Sequence, residues 1–535
     1  MNNLLAEKEH FPALDKIPLE FRIEKCEQGL NYLINGEVLS YYGKGFEVRS
    51  PVYVKKEAGL ETMELGEYPA LGKKEALQAL DAAEKAYGCG LGKWPRMSVD
   101  ERIEHVEEFM WRIRPMEKTF SLMEMWEIGK AYKSCLDEFQ RTMQYMEDTI
   151  SSLKSMENES DSIIRADNFI AQIRRCPIGI TLCMGPFNYP LNETFAMLIP
   201  ALIMGNTVIM KPPKYGALCT VPFIDAFVGS FPPGVINIIN GDGAEIIGPI
   251  METGIISILG FIGSSRVANL LAQQHPCNNR MRTILGLEAK NPAFVFADAD
   301  IELAASECIN GALEFNGQRC TSIKHIWVHK SIADEFLEVL SRKIEQLSCG
   351  MPWEDDVMIT PLPEEGKTEW LGELVEDALN KGASMVNAGG GRTYGNLFYP
   401  AVLYPVNRDM KIYQVEQFGP LIPVSSFSGL DELFDYLIET DYGQQASIFS
   451  SSPENAASLI DVLINQVSRI NLNAQCRRGP DELPFTGRKD SAEGTLSVYD
   501  ALRSFSIRSL AVANEQGREL FFRTIESGRS KFLKI

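Results

Sequence analysis

The segments IGITLCMG (178–185), NTVIMKPP (206–213), GVINIING (234–241), IISILGFIG (255–263) and MRTILGL (281–287) form one series of short, β-branched apolar runs. Between them lie stretches of helical length, such as Tyr215 to Gly229 and Ala244 to Thr253. Strands buried on both faces read as continuous apolar runs, and strand–helix alternation builds a parallel, doubly wound sheet. Ligands of such sheets sit at the carboxyl ends of the strands.

Working outward, a second series follows: AFVFA (293–297), IKHIWVH (323–329), LIPVSSF (421–427), ASIFS (446–450) and VSRINL (467–472). It predicts a second α/β unit. Upstream, residues 75 to 155 carry apolar residues at helical spacing and predict long helices covering the first sheet. The polar run MENESDSIIRADN (156–168) predicts a loop or protruding hairpin, and the last twenty or so residues look like an added tail.

The composition narrows the function classes. A chain of 535 residues, 45% hydrophobic and 23% charged, supports two or three cores rather than disorder. Its formal charge of −20 argues against non-specific binding to nucleic acid or to an anionic membrane, so an anionic ligand needs a locally basic pocket. No apolar run is long enough to span a bilayer and no signal-like segment opens the chain; the expectation is a soluble, cytoplasmic protein. Eleven cysteines without CxxC pairs suggest neither a disulfide scaffold nor a zinc or other metal site.

Five segments carry candidate chemistry. Cys320, in FNGQRCTSIKH, follows a glycine-containing turn, where Arg319 and backbone N–H groups can lower a thiol pKa; a free cysteine is more often a small buried hydrophobe. Asn188, in GPFNYP, stands where the chain leaves a strand, placed either to donate to an oxyanion or to cap the next helix. KPPKYG presents Lys211 and Lys214 where a nucleotide ribose would lie, or else forms a solvated basic turn. GDGAEIIG brings Gly241 without the dinucleotide glycine spacing, whereas GFIGSS, with Gly263 and Ser264, ends a strand and opens a helix whose N–H groups suit a pyrophosphate.

Taken in order, GPFNYP, KPP, FIGSS, the Glu288 region, GQRCT, EQFGP (416–420), YGQQASIF (442–449) and PFTGRKDSAEG (484–494) resemble the NAD(P)-dependent aldehyde dehydrogenase superfamily, from about residue 30 to 512. Within it, KPP, GQRCT, ITPL (359–362), QASIF and CRRGPDELPF (476–485) look most like the non-phosphorylating, NADP-dependent glyceraldehyde-3-phosphate dehydrogenases.

The resemblance implies an α/β fold of two doubly wound domains: a Rossmann-type cofactor domain (20–157 and 177–287) and a catalytic domain (288–486). A small β oligomerisation element (158–176 and 490–512) would bridge a homodimer or homotetramer, and 513–535 would remain as a C-terminal tail. It implies Cys320 as nucleophile, with Asn188 and the Cys320 N–H holding the oxyanion. Lys211 and Lys214 would bind the adenosine ribose or its 2′-phosphate. Lysine at 214, where NAD-preferring relatives have a glutamate, favours NADP, with NAD possible. Glu416 and Phe418 would serve the nicotinamide ribose. Arg141, Tyr189, Arg319, Thr321 and Arg478 would surround the phosphate of glyceraldehyde 3-phosphate.

Two departures from the family pattern stand out. The family's L-E-L-G-G-K reads Leu285-Gly286-Leu287-Glu288-Ala289-Lys290 here, so Gly286 replaces the catalytic glutamate and Glu288, two residues on, is expected to substitute as base. If it cannot reach, deacylation falls to coenzyme A. Ala268 replaces a glycine of the pyrophosphate turn. The expected reaction is oxidation of glyceraldehyde 3-phosphate to 3-phosphoglycerate with NADP. Another small anionic aldehyde, acyl-CoA formation and a catalytically impaired binding protein are the alternatives.

Overall fold

Residues 10–57 and 59–535 are described in the structure, a computed structural model. The first apolar series folds as β1 (Ile180–Met184), β2 (Thr207–Met210), β3 (Ile236–Ile238), β4 (Ile258–Ile262) and β5 (Arg282–Gly286). These strands are hydrogen-bonded in the order β3-β2-β1-β4-β5, every pair parallel. β1, β2 and β3 are buried along their whole length because helices cover both faces. The order reverses between β1 and β4, which opens a crevice beyond their carboxyl ends. An antiparallel hairpin, Asn31–Ile34 with Glu37–Ser40, extends the sheet past β3.

The long upstream helices form as the apolar spacing predicts. Val99–Ile113 starts in a capping box: Ser98 Oγ accepts from Glu101 N at 3.2 Å while Ser98 N donates to Glu101 Oε2 at 2.6 Å. Helix α1 (Tyr132–Ser160) is longer than its apolar pattern suggested and takes in the first residues of the polar run 156–168, so that run begins helical rather than as a loop. Helix α2 (Asn192–Ile203) is buried on every side, as an apolar segment between sheet and outer helices must be. The stretch 215–229 is helical only from Val221 onward; before it, the Glu127 carboxylate accepts hydrogen bonds from Gly216 N (2.8 Å) and Leu218 N (3.0 Å) and holds the chain as a loop. Helix α3 (Ser265–Gln274) follows β4 directly, with Ser264 as its N-cap, and Ala268 faces the core.

The second series gives β6 (Asn291–Val295), β7 (Ile323–His329), β9 (Leu421–Phe427), β10 (Gln445–Phe449) and β11 (Arg469–Leu472), and the structure adds a strand that the series lacked, β8 (Ala401–Tyr404). Their order is β8-β9-β7-β6-β10-β11, all parallel. Helix α4 (Ile301–Leu313) lies between β6 and β7 and ends just ahead of the turn that bears Cys320.

The C-terminal quarter stitches the parts together. Ala492–Glu493 pairs antiparallel with Leu285 and Gly286 at the edge of the first sheet, whereas Ile507–Ala513 pairs with Phe169–Cys176 and, through it, with Ile164–Ala166 in a separate three-stranded sheet. The tail is not a loose appendage. It forms a helix, Arg518–Glu526, and then returns so that the carbonyls of Phe532 and Lys534 accept hydrogen bonds from Arg174 and Gln172. Among the described residues no helix is long and apolar enough to cross a membrane.

Candidate active site

A cleft of about 920 Å³ opens beyond the carboxyl ends of β1, β2 and β4 and runs to the amino end of β7. It gathers Asn188, Cys320, Glu288, Lys214, Gly263, Ser264, Glu416 and Phe418, together with Arg141, Tyr189, Arg319, Thr321 and Arg478. Lys211 and Gly241 stand at the ends of β2 and β3 outside its lining.

The wall bearing Asn188 is fixed from below by three fully buried charged residues. Lys130 Nζ donates to Glu124 (3.0 Å), to Glu138, and to the Asn188 carbonyl (3.3 Å), and lies 3.9 Å from the centre of the Tyr189 ring. Glu138 Oε1 in turn accepts from Leu191 N and Asn192 N at 3.0 and 2.9 Å. Burial and the neighbouring Glu138 charge push the Glu124 carboxyl well above the carboxylate range, while Lys130 pairs with Glu138. Asn188 does not cap α2, whose N-cap is Leu191; its Nδ2 donates to the Gln318 carbonyl at 2.7 Å, two residues before Cys320.

The turn carrying Cys320 is strained. Phe315, Asn316 and Gly317 all have positive φ (49°, 57°, 70°), and a side chain at 317 would meet the Ala312 carbonyl at 2.5 Å. Residues that the sequence reading did not single out hold it. Asn291 Nδ2 donates to the Cys320 and Ser322 carbonyls at 2.7 and 2.9 Å, and buried Lys324 donates to the Arg319 carbonyl at 2.7 Å. The Cys320 N–H makes no hydrogen bond among the described residues and is free to donate. The expected activation by Arg319 is not what the structure provides. Burial pushes the Cys320 thiol up to about 11, the Glu193 carboxylate adds to this, and a Gln444 hydrogen bond and the Lys324 charge work the other way. Arg319 turns from the sulfur to the C-terminus of α4, donating to the Gly311 carbonyl at 3.1 Å and pairing with Glu314 at 2.8 Å.

The nucleotide half of the cleft fits a phosphorylated dinucleotide at the β2 end. No carboxylate stands in the KPPK turn, and among the described residues the one hydrogen bond of Lys211 Nζ goes to the Pro212 carbonyl at 3.1 Å, leaving its other protons for a ligand. At the β4 end the chain itself supplies an anion: Glu288 Oε2 accepts from Ser265 N at 2.7 Å and from Ser265 Oγ, at the N-terminus of α3 where a pyrophosphate was expected. Glu416 Oε1 accepts from Ala289 N at 3.2 Å and lies 3.4 Å from Lys324 Nζ. At Gly286 an added Cβ would lie 3.2 Å from the Ile262 side chain, so this position is filled by its neighbour rather than left open.

The expected anion pocket is already paired. Arg141 forms a bidentate pair with Asp481 (2.9 and 2.8 Å), and buried Arg478 bonds Glu193 and lies 3.3 Å from Asp481. Glu193 escaped the sequence reading, though a lone carboxylate opening the apolar run NETFAMLIPALI was a visible signal.

The doubly wound sheets, the crevice and the cysteine turn define a dehydrogenase architecture, and residues 52–509 match the aldehyde dehydrogenase family; the chain belongs to that family. It is 33% identical over 455 residues to the NADP-dependent glyceraldehyde-3-phosphate dehydrogenase of Streptococcus equinus, covering 83% of this chain and 92% of the relative. It is 28% identical over 392 residues to the 3-sulfolactaldehyde dehydrogenase of Priestia aryabhattai, covering 72% and 81%. The crystal structure of NADP-dependent glyceraldehyde-3-phosphate dehydrogenase from Bacillus halodurans C-125 complexed with NADP superposes with a TM-score of 0.83 at 30% identity, covering 91% of this chain and 99% of that one.

Proposed function

We propose that the protein oxidises a small anionic aldehyde to its acid with NADP, glyceraldehyde 3-phosphate being the candidate that its relatives name. The observation that carries this reading is a single cleft in which Cys320 and Asn188 meet at the crevice of a doubly wound sheet. Cys320 Sγ attacks the aldehyde carbon, and its proton must leave for solvent or a cleft carboxylate. The oxyanion of the resulting thiohemiacetal is held by Asn188 Nδ2 and the Cys320 N–H. NADP, when bound, supplies the acceptor for hydride from that carbon, with Lys211 and Lys214 toward its ribose phosphate and Glu416 and Phe418 toward its nicotinamide end. The thioester left on Sγ is released by water, for which Glu288 is the proposed base once its carboxylate leaves Ser265, or else by coenzyme A. A second reading, a singly charged aldehyde, is favoured by the carboxylates already paired with the arginines.

Subunit contact through the sheet of 164–176 and 507–513 belongs to the same proposal, supported by exposed Ile164, Phe169, Leu510 and Val512 on it.

The test is NADPH absorbance after mixing protein, NADP and glyceraldehyde 3-phosphate without inorganic phosphate or coenzyme A. Sustained turnover supports the hydrolytic reaction, a single burst restarted by coenzyme A makes the protein acylating, and no NADPH with this or other anionic aldehydes removes the reading. Glu288→Gln is expected to keep the burst and slow steady turnover about 100-fold; unchanged turnover would exclude Glu288 as base.

A further inference from the structure

Four guanidinium groups stand at the substrate end of the cleft, and three have partners. Asp481 holds Arg141 in a bidentate pair and touches Arg478; Glu193 bonds Arg478; Glu314 and the last carbonyls of α4 hold Arg319. Arg477, next to Arg478 and lining the same cleft, is exposed, and its guanidinium has no hydrogen-bond or ion-pair partner among the described residues; only its backbone N–H is engaged, by Gln445. Among the guanidinium groups lining the cleft, Arg477 alone is able to turn to a ligand; nearby Arg469, outside the lining, is held by the Arg478 and Gly479 carbonyls. A phosphate monoester carries between one and a half and two charges near pH 7. Entering this pocket, it must either share one guanidinium or compete with Glu193 and Asp481 for the others, and removing a buried guanidinium from its carboxylate is costly.

We propose that Arg477 receives the anionic end of the substrate, and that Glu193 and Asp481, by holding Arg478 and Arg141, set the pocket for an aldehyde with a single negative charge, a carboxylate or a sulfonate, in preference to a phosphate dianion. The proposal rests on the reading of this cleft as the site of aldehyde oxidation. Guanidinium forks suit both carboxylate and sulfonate oxygens. Arg478 and Arg141 then act as a braced frame for the turn at Gly479, and Glu193 is the residue that decides how much charge the pocket accepts.

The experiment compares wild type, Arg477→Ala and Glu193→Gln with two aldehydes, succinate semialdehyde and glyceraldehyde 3-phosphate, and also measures binding of their acid products, succinate and 3-phosphoglycerate, by calorimetry. Thermal melting checks that each variant folds, and exposed Arg477 is the variant least able to disturb the fold. Wild type is expected to favour the carboxylate aldehyde in kcat/KM. Arg477→Ala should weaken succinate binding and raise KM about tenfold or more, and Glu193→Gln should shift the phosphate-to-carboxylate ratio at least tenfold toward phosphate. Unchanged anion binding in Arg477→Ala, or an unchanged ratio in Glu193→Gln, would overturn the proposal. If binding shifts as expected but no aldehyde yields NADPH, the oxidation reading falls and the charge assignment stands. If both aldehydes are oxidised but the ratio does not move, the reverse holds.

Discussion

At the scale of single residues, the chemistry is governed by what burial does to charge. Burial pushes Cys320 up to about 11, so in the protein without nucleotide its thiolate at pH 8 should be about 100-fold scarcer than for an ordinary cysteine. Alkylation of Cys320, followed by mass spectrometry, should therefore be slow at pH 7 and climb about tenfold per pH unit to pH 10; a plateau by pH 8 would contradict the geometry. Lys211 moves the opposite way, lowered to about 8 by burial with Asp242 opposing. Its protonated form attracts phosphate and is lost as pH rises through 8, so NADP binding should weaken roughly tenfold between pH 7 and 9.5 in fluorescence titration with NADPH. Cys320, Asn188 and Lys214 could be brought to the cleft from sequence because their motifs are local, whereas Lys211, from the same turn as Lys214, stands outside its lining. Glu193, Lys324 and Asn291 were not legible, because each acquires meaning only from a partner: Glu193 from Arg478, 285 residues away, and Lys324 from Glu416.

At the scale of elements, most strands of both sheets were legible, and IKHIWVH and LIPVSSF coincide with β7 and β9, whereas β8 was missed and β6 begins two residues before the run read for it. A parallel strand buried on both faces leaves no ambiguity of period. The stretch 215–220 misled because its backbone is satisfied by Glu127, a side chain from another helix, and local periodicity cannot register that. The Asn188 turn has the same character, resting on the Lys130 cluster rather than on its own sequence. Lys130→Met should leave Glu138 buried without its counter-charge, costing about 3–5 kcal/mol. A fall in melting temperature with kcat reduced more than KM is changed would show the cluster positioning Asn188; a melting temperature like that of wild type would refute this account.

At the scale of the whole molecule, the tail is a structural member. Lys531 pairs with Glu101 at 2.6 Å and Lys534 with Glu157 at 3.3 Å, while the Phe532 and Lys534 carbonyls accept from Arg174 and Gln172. Deleting residues 515–535 should accelerate amide hydrogen exchange across 164–176 at least tenfold while the two large sheets keep their protection; equal exchange would show the tail to be ornamental. The fold class was readable because strand–helix rhythm is written locally in the sequence, but the tail's docking was not, since it depends on main-chain carbonyls that have no sequence signature.

The strand Ala492–Glu493 completes the first sheet beside Leu285 and Gly286, with some two hundred residues of chain between them. During synthesis, at about 5–20 residues per second, β5 emerges from the ribosome roughly 10–40 s before the segment that covers its edge. For that interval the nascent chain presents an unpaired strand edge beside the future catalytic cleft, open to any other chain with a free edge of its own. Translation rate and chaperone occupancy over this window, rather than the stability of the finished enzyme, then set how much of it survives to fold.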